Sequence, residues 1–173
     1  MIEIRIHGRG GQGAVTTATL LAKAAGYDGK YSQAFGAFGP ERRGAPVKAF
    51  CRIDNKPVTI RSQIYNPDYI ILLDSSLVDL PEIEEGAKSN TLFILNSPKD
   101  FSINGKKTMT FDATKLALEI LGKNIVNTAI LGVFSKITRL VSLEGISKAI
   151  EEIFTGKIRE LNLKIIRRAY EEA

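Results

Sequence analysis

An α/β fold, Rossmann-like and three-layered, with a mostly parallel sheet and a β-hairpin addition, is predicted by three observations. Residues 69–73, 92–95 and 108–111 are short apolar runs, the first two nearly unbroken, as expected of strands buried on both faces. Longer segments with helical character lie between and after them, and alternation of this kind buries a parallel sheet between layers. The chain also opens with a strand-like alternation at residues 2–6, then the turn His7-Gly-Arg-Gly-Gly-Gln-Gly13, then an alanine-rich stretch. That is the strand–turn–helix setting in which G-x-G-x-x-G spacing has physical meaning. With 173 residues, 44% hydrophobic and 25% charged, the chain is expected to form one domain over residues 1–173.

Taken in order, the first helix is expected over residues 14–25, with Gly26 as its C-terminal cap. Ala18, Leu21, Ala22 and Ala25 share one face of it, small enough for close packing on a sheet. Residues 30–33 are extended. Residues 47–53 and 58–60 read as strands joined across Asp54-Asn55-Lys56-Pro57, which supplies the hairpin. The run at 69–73 ends on Asp74, and the run at 92–95 ends on Asn96. Asp112 caps a helix over 113–121. Residues 127–137 are helical with Asn127 or Thr128 as cap, Ser142 caps a helix through Phe154, and residues 158–172 form a terminal amphipathic helix.

Composition narrows the function classes. No apolar run approaches the roughly 20 residues that span a bilayer, and the start of the chain is a charged strand rather than a secretory leader, so a cytoplasmic protein without membrane contact is expected. One cysteine, Cys51, and one histidine, His7, leave no internal disulfide, no cysteine-ligated cluster and no metal site to expect. The net charge of +5 suits a phosphorylated ligand or an acidic partner. The basic residues are scattered without aromatic interleaving, so no nucleic-acid partner is expected.

The turn itself is the main candidate site. Gly8, Gly10, Gly11 and Gly13 allow a tight bend and close approach of a ligand, and the helix start beyond them offers unpaired N–H groups at a positive dipole end. Arg9, Gln12 and Thr16 are able to add hydrogen bonds to a phosphate or carbonyl. A dinucleotide enzyme places an acid about 20 positions on, at the end of the second strand, to hold the ribose. Here that strand end has none; Asp28 precedes it, and Lys30 is the one group suited to a 2′-phosphate. A phosphate-bearing ligand, NAD(P) and a purely structural turn all remain readings of this pattern. A second candidate is Phe38-Gly-Pro-Glu-Arg-Arg-Gly-Ala-Pro46. Arg42 and Arg43 offer rigid forks of donors for phosphate, carboxylate or a partner, while Glu41 is placed to neutralise one of them locally. His7 reads as a satisfied strand-end residue and Cys51 as core. No local nucleophile–base pair and no acid–base carboxylate pair is found, so no catalytic residue is assigned.

Five motifs in order resemble the gamma subunits of the 2-oxoacid:ferredoxin oxidoreductases. They are residues 8–13 with Val15-Thr16, residues 29–35, residues 38–46, Asn66-Pro-Asp68, and Asn127-Thr128 with Leu131-Gly132. The Glu-Arg-Arg-Gly-Ala-Pro stretch is similar to the pyruvate-type branch, which includes branched-chain 2-oxoacid enzymes; Gly36 departs from a proline frequent there. The resemblance implies CoA-dependent oxidative decarboxylation of a 2-oxoacid to acyl-CoA and carbon dioxide with reduction of ferredoxin. It implies that thiamine diphosphate, magnesium and 4Fe–4S clusters lie on partner alpha, beta and delta subunits. For this chain it implies coenzyme A contact through Gly8, Arg9, Gly10, Gly11, Gln12, Gly13, Thr16, Arg42 and Arg43, with no activity in isolation. The alternatives are a branched-chain 2-oxoacid enzyme subunit, a free-standing NAD(P)-binding oxidoreductase and a purely structural subunit.

Overall fold

The computed structural model describes residues 1–37 and 44–173. Strand β1 (Ile2–Arg9) leads into helix α1 (Ala14–Tyr27), followed by β2 (Tyr31–Gly36), β3 (Pro46–Asp54) and β4 (Tyr69–Leu72). A 3-10 turn (Ser75–Leu77) and the short helix α2 (Pro81–Glu84) precede β5 (Leu92–Asn96) and β6 (Lys107–Phe111). Helices α3 (Ala113–Leu121), α4 (Asn127–Thr138), α5 (Leu143–Ile153) and α6 (Gly156–Glu172) complete the chain. The strands form one sheet in the order β2-β3-β1-β4-β5-β6. β1, β4, β5 and β6 pair in parallel, and β3 runs antiparallel to both β1 and β2. The chain is therefore α/β, with the antiparallel addition at one side.

The hairpin is made by a different pair from the one expected. β3 pairs with β2 from Tyr31↔Asp54 to Gly36↔Ala49, and with β1 along its other edge, so neither edge is left for residues 58–60. Those residues are irregular. The Asp54 carboxylate accepts from the amides of Asn55 and Lys56 and turns the chain away, and Ile60 stays exposed. Gly26 is likewise not the cap of α1. The helix continues to Tyr27, and the left-handed residue that ends it is Gly29, at φ +75°.

The layers are unequal. Helices α1, α3, α4, α5 and α6 all contribute to one core with Ile4, Ile6, Cys51, Ile71 and Ile94 of the sheet. The other face is covered thinly: Ile70, Leu72, Phe93 and Leu95 pack under Leu77, Ile83 and Ile103. The caps at Asp112 and Ser142 form as expected, accepting from the amides of Lys115 and Gly145. Neither Asn127 nor Thr128 caps α4; Val126 holds that position, and both polar residues are buried. Helices α4 and α6 approach closely at Gly132, where a Cβ would lie 2.5 Å from the Ile166 carbonyl oxygen. That contact fixes α6 beside the start of α4 and so shapes the site described next.

Candidate functional site

The glycine turn lies at the carboxyl edge of the sheet, where the chain departs to both sides of β1. In open α/β sheets this is where a crevice forms. Gly8 belongs to β1 itself; the bend comes after it. Gly11 and Gly13 have φ of +95° and +84°, and Gly13 is the N-cap of α1. Two turn amides are used internally, Gly10 donating to the Ala45 carbonyl and Gln12 to the Arg9 carbonyl. Thr17 closes the first helical turn through its amide and hydroxyl, both donating to the Gly13 carbonyl. Among the described residues, the amides of Gly11, Gly13, Ala14, Val15 and Thr16 find no hydrogen-bond acceptor.

The side chains of Arg9 and Gln12 are committed to holding this bend. Gln12 accepts from the Arg9 amide at 2.7 Å and donates to the Asp74 carboxylate at 2.9 Å. Arg9 pairs with Asp74 at 3.3 Å and donates to the Ser76 hydroxyl and the Gly44 carbonyl. Asp74 in turn accepts from the amide and hydroxyl of Ser76. Partial burial pushes the Asp74 carboxyl upward, but the hydrogen bonds from Ser76 and Gln12 and the charge of Arg9 outweigh it and hold the group below the usual carboxylate range. The acid that follows β4 therefore ties the turn to the segment leaving the neighbouring strand.

A pocket of about 390 Å³ opens beside the turn. One wall is Gly11, Gln12, Gly13 and Thr16. The opposite walls come from the α3–α4 connection (Leu121, Lys123, Ile125), from Asn127, and from Phe154, Ile158, Leu161 and Asn162 at and near the start of α6. Among the described residues of this lining the only ionisable side chain is Lys123. Backbone donors and a positive dipole end thus face a largely aliphatic surface, an arrangement suited to a ligand with an anionic group and an apolar body.

The family model described as pyruvate ferredoxin/flavodoxin oxidoreductase matches residues 3–172. The chain belongs to this family. The pyruvate synthase subunit PorC of Methanothermobacter thermautotrophicus is 57% identical over 172 residues, covering 99% of this chain and 96% of that protein. The pyruvate/ketoisovalerate oxidoreductases common subunit gamma of Pyrococcus furiosus is 51% identical over 179 residues, covering 99% and 97%. Among solved structures, the pyruvate oxidoreductase subunit PORC of Thermotoga maritima superposes with a TM-score of 0.86 at 38% identity, covering 98% of this chain and 95% of that one.

Of the residues that the family resemblance marked in the sequence, Gly11, Gln12, Gly13 and Thr16 line the pocket, and Gly10 and Arg9 shape the turn behind it. Arg42 and Arg43 lie outside the described residues. Asn127 stood in the sequence as a helix cap; the fold instead buries it against Gly13 in the pocket wall. Asp74 was visible as the polar end of a strand, with no signal of its link to Gln12. Two groups weighed for a dinucleotide are occupied elsewhere. Asp28 accepts from the Ser142 amide and hydroxyl, and Lys30 donates to the Leu140 carbonyl. Among the described residues no group of three or more His, Cys, Asp or Glu is placed to hold a metal ion, and no helix is long and apolar enough to cross a membrane.

His7 and Cys51 are both buried. Burial pushes the Cys51 thiol up, which keeps it protonated and unreactive. His7 accepts from the Arg5 guanidinium at 2.9 Å, and Arg5 also donates to the carbonyls of Ile83 and Glu85 around α2. Burial, then the positive charges of Arg5 and Lys48, hold the imidazole down to about 3. The unfolded chain binds a proton at this residue below about 6.5 that the folded chain refuses, so His7's contribution is complete above that pH and declines as pH falls toward 3. Urea unfolding is expected to show the wild type losing about 2 kcal/mol more than His7→Gln between pH 7 and pH 5. Equal losses would show that the imidazole titrates normally in the fold.

Proposed function

We propose that this chain is the gamma subunit of a pyruvate:ferredoxin oxidoreductase, where it binds part of coenzyme A and assembles with the subunits that carry out the chemistry. The enzyme joins pyruvate and coenzyme A to give acetyl-CoA and carbon dioxide while ferredoxin takes the electrons. The partners are an alpha subunit, a beta subunit carrying thiamine diphosphate and magnesium, and a delta subunit carrying 4Fe–4S clusters, in the cytoplasm. The bound thiamine supplies the decarboxylation; the residues here bind and orient the thiol substrate. The observation that carries this reading is the pocket at the start of α1, which offers backbone amides and Lys123 to an anion and aliphatic side chains to the remainder of the ligand. The names of the relatives support the assignment.

The name of the Pyrococcus furiosus relative, a subunit common to pyruvate and ketoisovalerate enzymes, favours a second reading in which branched 2-oxoacids are also used. A nicotinamide dinucleotide is disfavoured by the engagement of Asp28 and Lys30. On sequence grounds Arg42 and Arg43 either contact the ligand or anchor their loop to a partner subunit. In the assembled enzyme Arg42→Ala is expected to raise the KM for coenzyme A about tenfold, a loss of about 1.4 kcal/mol, with kcat retained. An unchanged KM with weakened subunit assembly would assign that segment to an interface instead.

A further inference from the structure

β2 is one edge of the sheet, and among the described residues no strand pairs with its outer side. The Ala37 amide donates to the Lys48 carbonyl, which fixes the alternation along the pair. Tyr31, Gln33 and Phe35 therefore bond to β3, while the backbone groups of Ser32 and Ala34 turn outward. Exposed edges are ordinarily blunted by charge, proline or a bulge. The opposite edge follows that rule, with Lys106 and Lys107 where β6 begins. β2 does not: Tyr31–Gly36 holds no charge and no proline, and its register with β3 is unbroken.

The flank of α1 above this edge has the same character. The Ala22 carbonyl accepts from the Ser32 hydroxyl at 2.7 Å, which brings that side of the helix over the edge. Val15, Thr19, Ala22 and Gly26 form one stripe there at helical spacing, small and uncharged. Val15 is 43% exposed, and a Cβ on Gly26 would meet nothing within 4 Å. The neighbouring polar positions, Lys23 and Tyr27, face α5 instead and bond to Glu152.

We infer that two copies of this chain pair through β2, antiparallel about a twofold axis at Gln33, so that one sheet runs through both. Such an interface is isologous and sets residues near the axis against their own kind, which an uncharged strand tolerates and a lysine-bearing one does not. Centring on Gln33 lets Ser32 of each copy exchange hydrogen bonds with Ala34 of the other, and it sets the exposed Tyr31 against Phe35. Centring on Ala34 instead would need the buried Gly36 to pair. Strands pair about 4.8 Å apart, so the two α1 helices, each seated over β2 and β3, come to lie about 10 Å from one another. Helices pack at that distance only through modest side chains, and the stripe supplies them. A strand from an unrelated chain imposes no such condition on α1; a second copy does. The inference is independent of where coenzyme A binds.

The test uses the assembled enzyme carrying Gln33→Cys. Residues that face each other in a non-hydrogen-bonded pair have Cα atoms about 4.5 Å apart, within disulfide range. Diamide, added without air, is expected to join most of this chain to a second copy, read on a non-reducing gel; Cys51 is buried and takes no part. Ala34→Cys bridged by a short bismaleimide carries the test if loss of the Gln33 contact to Arg52 prevents assembly. Adding Gly26→Arg, which sets a charged side chain between the two helices, is expected to lower the cross-linked fraction about tenfold. The absence of a cross-link between copies overturns the inference, as does a cross-link to a different subunit, which would give this edge another occupant. A yield indifferent to Gly26→Arg also overturns it, because random encounter then explains the product.

Discussion

Arg52→Leu is expected to destabilise the protein by about 3–5 kcal/mol, measured as a loss in urea-unfolding free energy with little change in the slope. Arg52 is 1% exposed, and its guanidinium serves four acceptors. It pairs with Glu3 at 2.9 Å and donates to Oε1 of Gln33 and to the carbonyls of Ile60 and Gln63. It also lies 5.7 Å from the centre of the Phe35 ring. Leucine fills part of the volume but leaves these acceptors without a donor, and that desolvation cost dominates. The irregular segment over residues 55–66 loses its attachment to the sheet at the same time. Glu3→Gln should cost less, about 1–3 kcal/mol, because the amide oxygen still accepts from Arg52, although the guanidinium loses its carboxylate partner. A loss below 1 kcal/mol for Arg52→Leu would mean that water replaces the guanidinium without penalty.

The second large effect is expected at Gly13. Alanine there meets two obstacles, a backbone at φ +84° and a Cβ 2.9 Å from the Asn127 amide nitrogen. The left-handed conformation alone costs a side chain about 1–2 kcal/mol. Relief requires the start of α1 to rotate or Asn127 to withdraw, and either change disperses the donors that face the pocket. In the assembled enzyme the KM for coenzyme A should rise at least tenfold with the KM for pyruvate unchanged. Gly29→Ala is the control: its φ is +75°, so the backbone strain is similar, but nothing lies within 4 Å of the added Cβ. It should lower stability and leave the KM for coenzyme A unaltered.

Much of this fold is legible in the sequence. The apolar runs at β4 and β5, the capping residues Asp112 and Ser142, and the turn between β1 and α1 are local signals that tertiary structure does not override. Long-range pairing is where local reading stops. Residues 58–60 have strand composition, but both edges of β3 are taken by partners distant in sequence. The alternation in β1 suggests one wet face, yet Arg5 and His7 are buried. Arg5 is satisfied by carbonyls around α2, roughly 78 positions away, and His7 by Arg5, so no sequence window reports it. The site shows the same division. The glycines mark the bend, and the amides behind it follow from helix geometry. Arg9 and Gln12 look like ligand contacts until Asp74, just beyond the next parallel strand, is seen to engage both. Asn127 looks like a helix cap until α4 is seen to rest on Gly13.

Hydrogen–deuterium exchange on the assembled enzyme, with and without saturating coenzyme A, bears most directly on the binding role given to this chain. The amides of residues 11 and 13–16, which have no acceptor among the described residues, should exchange quickly in the free enzyme and slow at least tenfold when coenzyme A is present. Residues 107–111 in the edge strand β6 should be unaffected. Slowing confined to the other subunits, with residues 11 and 13–16 exchanging at the same rate in both states, would show that coenzyme A is held elsewhere and that this turn serves the architecture alone.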